Sequence, residues 1–512
     1  MFDDDDNEVL RYNFDHKHPW HRALARELSR ALRKPVFVNM RRLERLWPEF
    51  AGEAMDFIID VDDSTSFWGG YEAWNLRHFG VALPVTEGDP GVGLSDARLH
   101  HFVWKQINIF LQDYSLSPDH PDILTVVGTI RAFWEKRKSK FNPCSDSSAF
   151  LSGPIQYGYQ AKDRLVILGQ TSYFFRTKFA EYVSHCGDQK SFISECDDFL
   201  CQSCSQWSGM GPIDLLAEVL NIPDAQREDL RSWSERHAAP FRIDSLETGH
   251  MFVTNLVTEK QYRVDWDKGA APIPVGTFVF GFLARWDGGW RWSGVQSLLG
   301  EGESDLERVK EFVQHMRLSA SRVLCRYWPE YKTQAMEMLA NMRKSELEFL
   351  GGRDLVHFES GKALAESTAR FLNEYRDKRI QAMETPPDNI PEDFMPETVL
   401  SETMLECEDG VALFLNPEEG DEMMLSFDNL IRGLQKNGDV LTQAEHDALR
   451  GFIESDVISP AFVRRVLQGE PDRALGIVFG VGDDAPAYWL DWLLRCWKGE
   501  FYRPRYPNVS VV

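Results

Sequence analysis

FRIDSLETGHMFVTNLVTEKQYRVDW fills residues 241–266 and TFVFGFLARWDGGWRWSGV fills residues 277–295. Apolar and polar residues alternate in 241–247 and 250–257, residues 277–286 form a long, largely apolar run, and turn residues separate the segments at 248–249, 258–260 and 287–289. Alternation broken by tight turns is the pattern of short antiparallel strands. We therefore predict five strands within residues 241–300 that form a small β-barrel-like module of the SH3-like or OB-like kind.

Most of the remaining chain has helical periodicity, so the predicted fold is mainly α with this inserted five-stranded β-barrel-like module, α+β overall and multidomain. Two short apolar runs, Phe57–Ile59 and Leu165–Leu168, depart from the helical pattern, and the first is strand-like. The predicted domains are an acidic flexible N-terminus (1–15), a helical N-terminal domain (16–240), the barrel (241–300), a helical segment packing on the N-terminal body (301–382), an acidic proline-containing linker (383–423) and a helical C-terminal domain (424–512).

Negative charge is concentrated in one region of the chain. The net charge is −24, and the segment between Arg379 and Arg432 contains 14 acidic residues and no lysine or arginine. Four prolines, Pro386, Pro387, Pro391 and Pro396, lie among the acids in the first part of this segment, a composition typical of an extended linker. We expect residues 383–410 to be mobile and to be cleaved first by a protease.

A basic segment lies near the start of the chain. Residues 17–45 contain nine lysines and arginines against Glu27 and Glu44, and a second basic cluster follows at residues 131–140. On a helix, one face would carry Arg22, Arg26, Arg30 and Arg33, and the opposite face would carry leucines. Three interpretations stay open: contact with nucleic-acid phosphates, contact with the chain's own acidic segment, and a solvated helix face.

Four cysteines crowd into one stretch: Cys186, Cys196, Cys201 and Cys204. The last pair has the CxxC spacing of zinc ligands, but Cys186 and Cys196 are too widely spaced to be the second close pair of a common zinc site. Buried cysteines in a reducing cytosol are the alternative. No cofactor is expected, and zinc is kept as the alternative.

Asp60 and Asp62 follow the apolar run at 57–59, and Asp483 follows another apolar run late in the chain. Carboxylates at strand ends can chelate magnesium and attack a phosphate. The arrangement is similar to that of aspartate-nucleophile phosphohydrolases, although the strand–helix alternation of their sheet is missing here. Acidic-loop and helix-cap roles explain the same residues.

The barrel segment is rich in tryptophan. Trp286, Trp290 and Trp292 could form a surface for a peptide or a single nucleic-acid strand, or they could be core residues of a small barrel. Residues 241–297 contain six basic and six acidic residues, which is a poor electrostatic match for nucleic acid.

The sequence therefore favours a non-catalytic interaction or regulatory protein that binds a protein partner, with the acidic linker as a regulatory or protease-sensitive tether. The first alternative is a metal-dependent phosphohydrolase or nucleotide-processing enzyme that uses Asp60, Asp62 and Asp483. The second is a nucleic-acid-associated protein that binds through residues 17–45. We expect a cytoplasmic location and no membrane contact, because no apolar stretch approaches the ~20 residues of a membrane helix.

Overall fold

The computed structural model describes residues 19–37, 40–62, 66–83, 90–111, 116, 118–140, 155–184, 189–205, 207–265, 273–302, 305–319, 321–381, 400–436, 440–468, 473–479, 489–503 and 505–506. It is 59% helical and contains a closed five-stranded mixed β-barrel and a second small sheet, so the predicted α+β class is confirmed. The chain divides into two compact units, Met1–Val323 and Leu324–Val512.

Ten helices precede the barrel in the described part of the first unit. They are α1 (Pro19–Leu32), α2 (Trp47–Val61), α3 (Phe67–Phe79), α4 (Asp96–Leu111), α5 (Pro121–Glu135), α6 (Tyr159–Thr171), α7 (Arg176–Val183), α8 (Gln189–Gln202), α9 (Pro212–Val219) and α10 (Asp224–Ser232). Short 3-10 helices lie at Arg41–Arg45 and Lys138–Lys140, and α11 (Leu306–Ser319) follows the barrel.

Both apolar runs that depart from the helical pattern in the sequence are helical in the structure. Phe57–Ile59 lies inside α2 and Leu165–Leu168 lies inside α6. Phe57 and Ile58 are fully buried among aromatic rings, including a stacked contact between Phe57 and Phe102 at 4.2 Å. A helix that is buried on several sides shows a continuous apolar run, which periodicity alone cannot distinguish from a buried strand.

The barrel strands are β1 (Arg236–Glu247), β2 (His250–Asn255), β3 (Gln261–Asp265), β4 (Thr277–Trp286), β5 (Gly289–Trp292) and β6 (Ser297–Glu301). The first five close in the order β1-β2-β3-β5-β4-β1, and β6 pairs with β4. The β3–β5 pairing is parallel, at Val264 and Trp290. A meander of SH3-like type contains no parallel pair, so this connectivity is that of an OB-like barrel.

Strand β1 begins five residues before the predicted start at Phe241. Its first half, Arg236–Pro240, pairs with β4, and from Phe241 onward it also pairs with β2, with a register shift between Ile243 and Ser245. Because β1 is long enough to pair with both β4 and β2, it closes the barrel. The alanines and proline at 238–240 have low strand propensity, which explains why the sequence pattern ends at Phe241.

The second unit contains the end of α12 (Ser321–Tyr327), then α13 (Pro329–Phe349), β7 (Leu355–Phe358), α14 (Gly361–Gln381), α15 (Glu402–Leu405), β8 (Val411–Asn416), β9 (Gly420–Leu425), α16 (Phe427–Leu434), α17 (Gln443–Glu454), α18 (Pro460–Leu467), α19 (Arg473–Val478), α20 (Trp489–Trp497) and the 3-10 helix Gly499–Tyr502. The sheet is antiparallel in the order β7-β8-β9.

All six residues of the central strand β8 are buried, because helices cover both of its faces. Val411, Leu413 and Leu415 pack with Leu350 and Leu364 of the α13–α14 side. The ring of Phe414 stacks on Phe462 of α18 at 5.1 Å. The second unit therefore has a core of its own around a three-stranded sheet.

The structure differs from the predicted domains in two places. Helices α13 and α14 were assigned to a segment, 301–382, that packs on the N-terminal body, but they belong to the second unit. Residues 411–423 were assigned to the acidic linker, but they form β8 and most of β9. Residues 382–399 lie outside the described part of the chain, so the prediction of a mobile tether is kept for them alone.

The acidic residues of this β8–β9 hairpin gave the segment the composition of a solvent-exposed linker. Several of these carboxylates nevertheless have specific partners. Glu422 is buried and accepts a hydrogen bond from the backbone N–H of Ser459 at 2.7 Å, and Arg505 pairs with Glu419. Burial, together with the neighbouring Asp421, raises the pKa of Glu346 above its ordinary value. The charge of this region is thus partly compensated inside a folded unit.

Candidate interaction surface

Helix α1 has the two faces that the sequence predicts. Leu24, Leu28 and Leu32 are buried against the helical body. On the other side, every exposed side chain from residue 20 to residue 34 is charged except one alanine; these side chains are Arg22, Ala23, Arg26, Glu27, Arg30, Arg33 and Lys34. This basic row has one cation or more per helical turn, about 6 Å apart along the axis.

The second basic cluster lies beside the first. Helices α1 and α5 pack together, and Arg137, just beyond the end of α5, donates to the Glu27 carboxylate at 2.8 Å. Arg131 pairs with Asp96, and Lys138 pairs with Glu135 at 2.7 Å. Residues 22–34, on α1 and just after its end, and residues 131–138 together are called the basic face. Sequence alone could not show that its two parts adjoin, because they are about a hundred residues apart.

Asp60, the first residue of the proposed catalytic set, holds the start of helix α3. Its carboxylate accepts hydrogen bonds from the backbone N–H groups of Phe67 and Trp68, both at 2.9 Å, and from the hydroxyl of Tyr173 at 2.8 Å. Asp60 is 2% exposed. Burial, followed by the charge of Asp60, raises the pKa of Tyr173 well above its ordinary value, so the phenol stays a donor. This is the geometry of an anionic helix cap.

No contact within the described residues joins the side-chain carboxylate of Asp62 to that of Asp60. Asp62 is exposed at the end of α2, where its backbone N–H bonds the carbonyl of Asp60. Asp483 lies outside the described residues.

We expect Asp60→Ala to lower the free energy of unfolding by about 2 kcal/mol, because two helix-start N–H groups and a buried phenol lose their acceptor. The matched change two residues away, Asp62→Ala, should shift it by less than about 0.5 kcal/mol, as expected for an exposed side chain. Urea unfolding of both variants measures the difference. Equal losses at the two positions would contradict the capping role.

The described members of the cysteine cluster, for which zinc binding was the alternative interpretation, are buried thiols. Cys201 donates to the carbonyl of Trp233 at 3.3 Å, and burial raises its pKa to about 12, which favours the protonated thiol over a zinc-binding thiolate. Gln170 lies against the sulfur of Cys196 at 3.9 Å. Within the described residues no group of three His, Cys, Asp or Glu side chains could hold a metal ion. Cys186 lies outside them.

The three barrel tryptophans have different environments. Trp292 lies over Gly281, where a Cβ atom would approach its ring to 2.8 Å, and its indole N–H points at the sulfur of Met251 at 3.3 Å. Trp290 packs edge-on against Tyr262 with ring centroids 4.7 Å apart. Trp286 contacts Tyr159 of α6 at 4.7 Å, so it joins the barrel to the helical body.

The outer face of β1, β2 and β3, where OB-like barrels bind ligands, satisfies its polar groups internally. Asp244 accepts from Arg242 at 2.8 Å and from Thr254. His250 bonds Asp265 at 2.6 Å. The β4–β5 turn is also engaged, since the N–H of Gly288 donates to Asp229 of α10 at 3.0 Å. The barrel therefore offers a charge-balanced surface and a turn docked on helices.

Two buried ionic networks were not predicted. In the first, Arg236 of β1 donates to Asp198 at 2.6 Å and to the hydroxyl of Ser194 at 2.8 Å, both on α8. Beside it, burial pulls the pKa of Asp197 upward, but the charge and hydrogen bond of Lys162 outweigh burial and leave that pKa below its usual value. Asp197 therefore stays a carboxylate, and the network attaches the barrel to α6 and α8.

The second network lies between helices α2 and α7. Arg176 binds Glu53, with one contact at 2.6 Å, and Asp56 at 2.8 Å. Glu53 is 1% exposed. The only sequence signal for these contacts is the presence of acidic residues on the apolar helix α2, and it does not identify the partner.

No protein-family model matches the chain, no curated protein matches it, and no solved structure matches it. In the described part of the chain, no helix has both the length and the apolar character that crossing a membrane requires.

Proposed function

We propose that this chain is a non-catalytic interaction or regulatory protein that receives an anionic macromolecular partner on its basic face. The observation that carries the proposal is the contrast between two sets of charged residues. The basic row of α1 is exposed to solvent, whereas Asp60, the first of the proposed catalytic aspartates, is buried in a helix cap.

The enzyme alternative needs a carboxylate free to bind a metal or attack a phosphate. The Asp60 carboxylate instead accepts hydrogen bonds from three donors and is almost completely buried. The sequence favours a protein partner without specifying its charge, and an acidic protein would have the charge that this face attracts. A cytoplasmic location is part of the proposal, supported by buried free thiols such as Cys201.

The test compares retention on heparin, a soluble polyanion probe, for the full chain and for Arg26→Ala/Arg30→Ala. Alanine keeps the helix, so only charge is removed from the exposed row. We expect the variant to elute at clearly lower salt than the parent chain, because exposed charges act through screened attraction.

The matched control is Lys378→Ala/Arg379→Ala, which removes two exposed cations from α14 in the second unit. It should elute with the parent chain. If both double variants elute together, or if the parent chain is not retained at low salt, the basic face is not a polyanion-binding surface and the proposed function fails.

A further inference from the structure

We infer that the anionic partner of the basic face is the phosphate backbone of double-stranded DNA, bound without reading of base sequence. The inference rests on the proposed function and names the partner of that same surface. It draws on three properties of the basic face: its side-chain chemistry, its spacing and its lack of apolar anchors.

The chemistry of the row favours phosphate. Four of its five cations are arginines, namely Arg22, Arg26, Arg30 and Arg33. A guanidinium group is planar, stays charged at every physiological pH and can donate two parallel hydrogen bonds to a phosphate. Contacts of this kind position a protein on the duplex and carry no sequence information directly.

The spacing of the cations also suits a duplex. Along α1 the arginines recur about once per turn, and the exposed Lys136 and Lys138 lie just beyond the end of α5, which packs against α1. The grooves of B-DNA are about 6 Å and about 12 Å wide, and packed helices have axes about 8–10 Å apart. Cations on α1 and at the end of α5 can therefore approach neighbouring phosphates of one duplex.

Local charge matters more here than the charge of the whole chain. Residues 19–34 and 131–140 together contain ten lysines and arginines against two acids, Glu27 and Glu135, and Asp96 adds a third carboxylate through its pair with Arg131. The acidic segment between Arg379 and Arg432 supplies −14 of the net charge of −24. At moderate salt an exposed charge is screened beyond about 10 Å, so the charges within the basic face itself dominate its attraction for a polyanion.

A partner protein would need something that this face lacks. Protein interfaces are centred on aromatic or aliphatic anchors and are depleted of charge in their core. Between residues 20 and 34 the exposed side chains are five cations, one glutamate and one alanine. Apart from Val36, which lies two residues beyond the row and is 87% exposed, the row offers charge and no large apolar side chain, and this suits the uniform charge of a nucleic-acid backbone.

The experiment measures binding of the full chain to a short fluorescent DNA duplex of mixed sequence at several salt concentrations. With four arginines at phosphates, the slope of log K against log salt should be about −4, which weakens binding about 100-fold between roughly 50 and 200 mM salt. Arg26→Ala/Arg30→Ala should reduce the slope by about 2 and the low-salt affinity at least tenfold. Lys378→Ala/Arg379→Ala should leave both unchanged, and a second duplex of unrelated sequence should bind equally.

Two results would overturn the inference. Retention on heparin without binding to the duplex would leave the proposed function standing and would point to an acidic protein partner. Duplex binding that is equally strong in Arg26→Ala/Arg30→Ala would place the DNA site elsewhere on the chain.

Discussion

Replacing Arg176 by methionine is expected to lower the free energy of unfolding of the first unit by about 3–5 kcal/mol, the usual cost of leaving a buried charge without its partner. The guanidinium group is the cation shared by Glu53 and Asp56 on α2. Methionine fills similar space but removes the cation from Glu53, which is 1% exposed, and from Asp56, which keeps its contact with His21. Amide hydrogen exchange in α2 and α7 measures the change in this unit without interference from the second.

The control for this change is Arg77→Met. Arg77 also binds a carboxylate with two nitrogens, that of Glu218, but its side chain is 49% exposed and Glu218 keeps Arg231 as a second partner. The loss should stay below about 1 kcal/mol. If Arg77→Met and Arg176→Met accelerate exchange equally, burial does not determine the importance of these ion pairs.

The second large effect is expected at the junction of barrel and helices. Arg236→Met removes the donor to Asp198 and Ser194 and should lower the free energy of unfolding by about 3 kcal/mol. The value lies at the lower end of the range because the Asp198 side chain is about one-third exposed and is partly solvated. Exchange should increase in β1 and in α8 together, since the contact joins them.

Arg242→Met, on the same strand, is the matched control. Arg242 is half exposed and pairs with Asp244 across the barrel surface. We expect a loss within about 1 kcal/mol, confined to the barrel. If α8 keeps its protection in Arg236→Met, the barrel and the helical body are held together by other contacts, such as Trp286 against Tyr159.

Structural features that depend only on residues close together in the chain could be predicted from the sequence. The spacing of leucines and arginines in α1 can be recognised from residues within a turn or two of each other. The structure has both faces of this helix as expected. The Thr442–Glu445 capping box and the helix end at Gly351 and Gly352, both with positive φ, are features of the same local kind. Turn residues likewise located the strands of the barrel.

Features that depend on contacts between distant parts of the chain could not be predicted from the sequence. Strands β8 and β9 were assigned to a linker because their acids suggested solvent, although Val411, Leu413 and Leu415 alternate as a strand should. Arg236 meets partners 38, 42 and 57 residues away, Asp198, Ser194 and Ser293, which no local pattern encodes. The adjacency of the two basic clusters, on which the proposed DNA contact depends, also became visible only in the structure.

The most direct measurement for the account is mass-spectrometric mapping of arginine modification by phenylglyoxal, with and without the DNA duplex. The account predicts that the duplex protects Arg26, Arg30 and Arg33, and leaves Arg376 and Arg379 of α14 as reactive as before. Protection at Arg242 and Arg263 on the outer barrel face, with unchanged reactivity along α1, would contradict it.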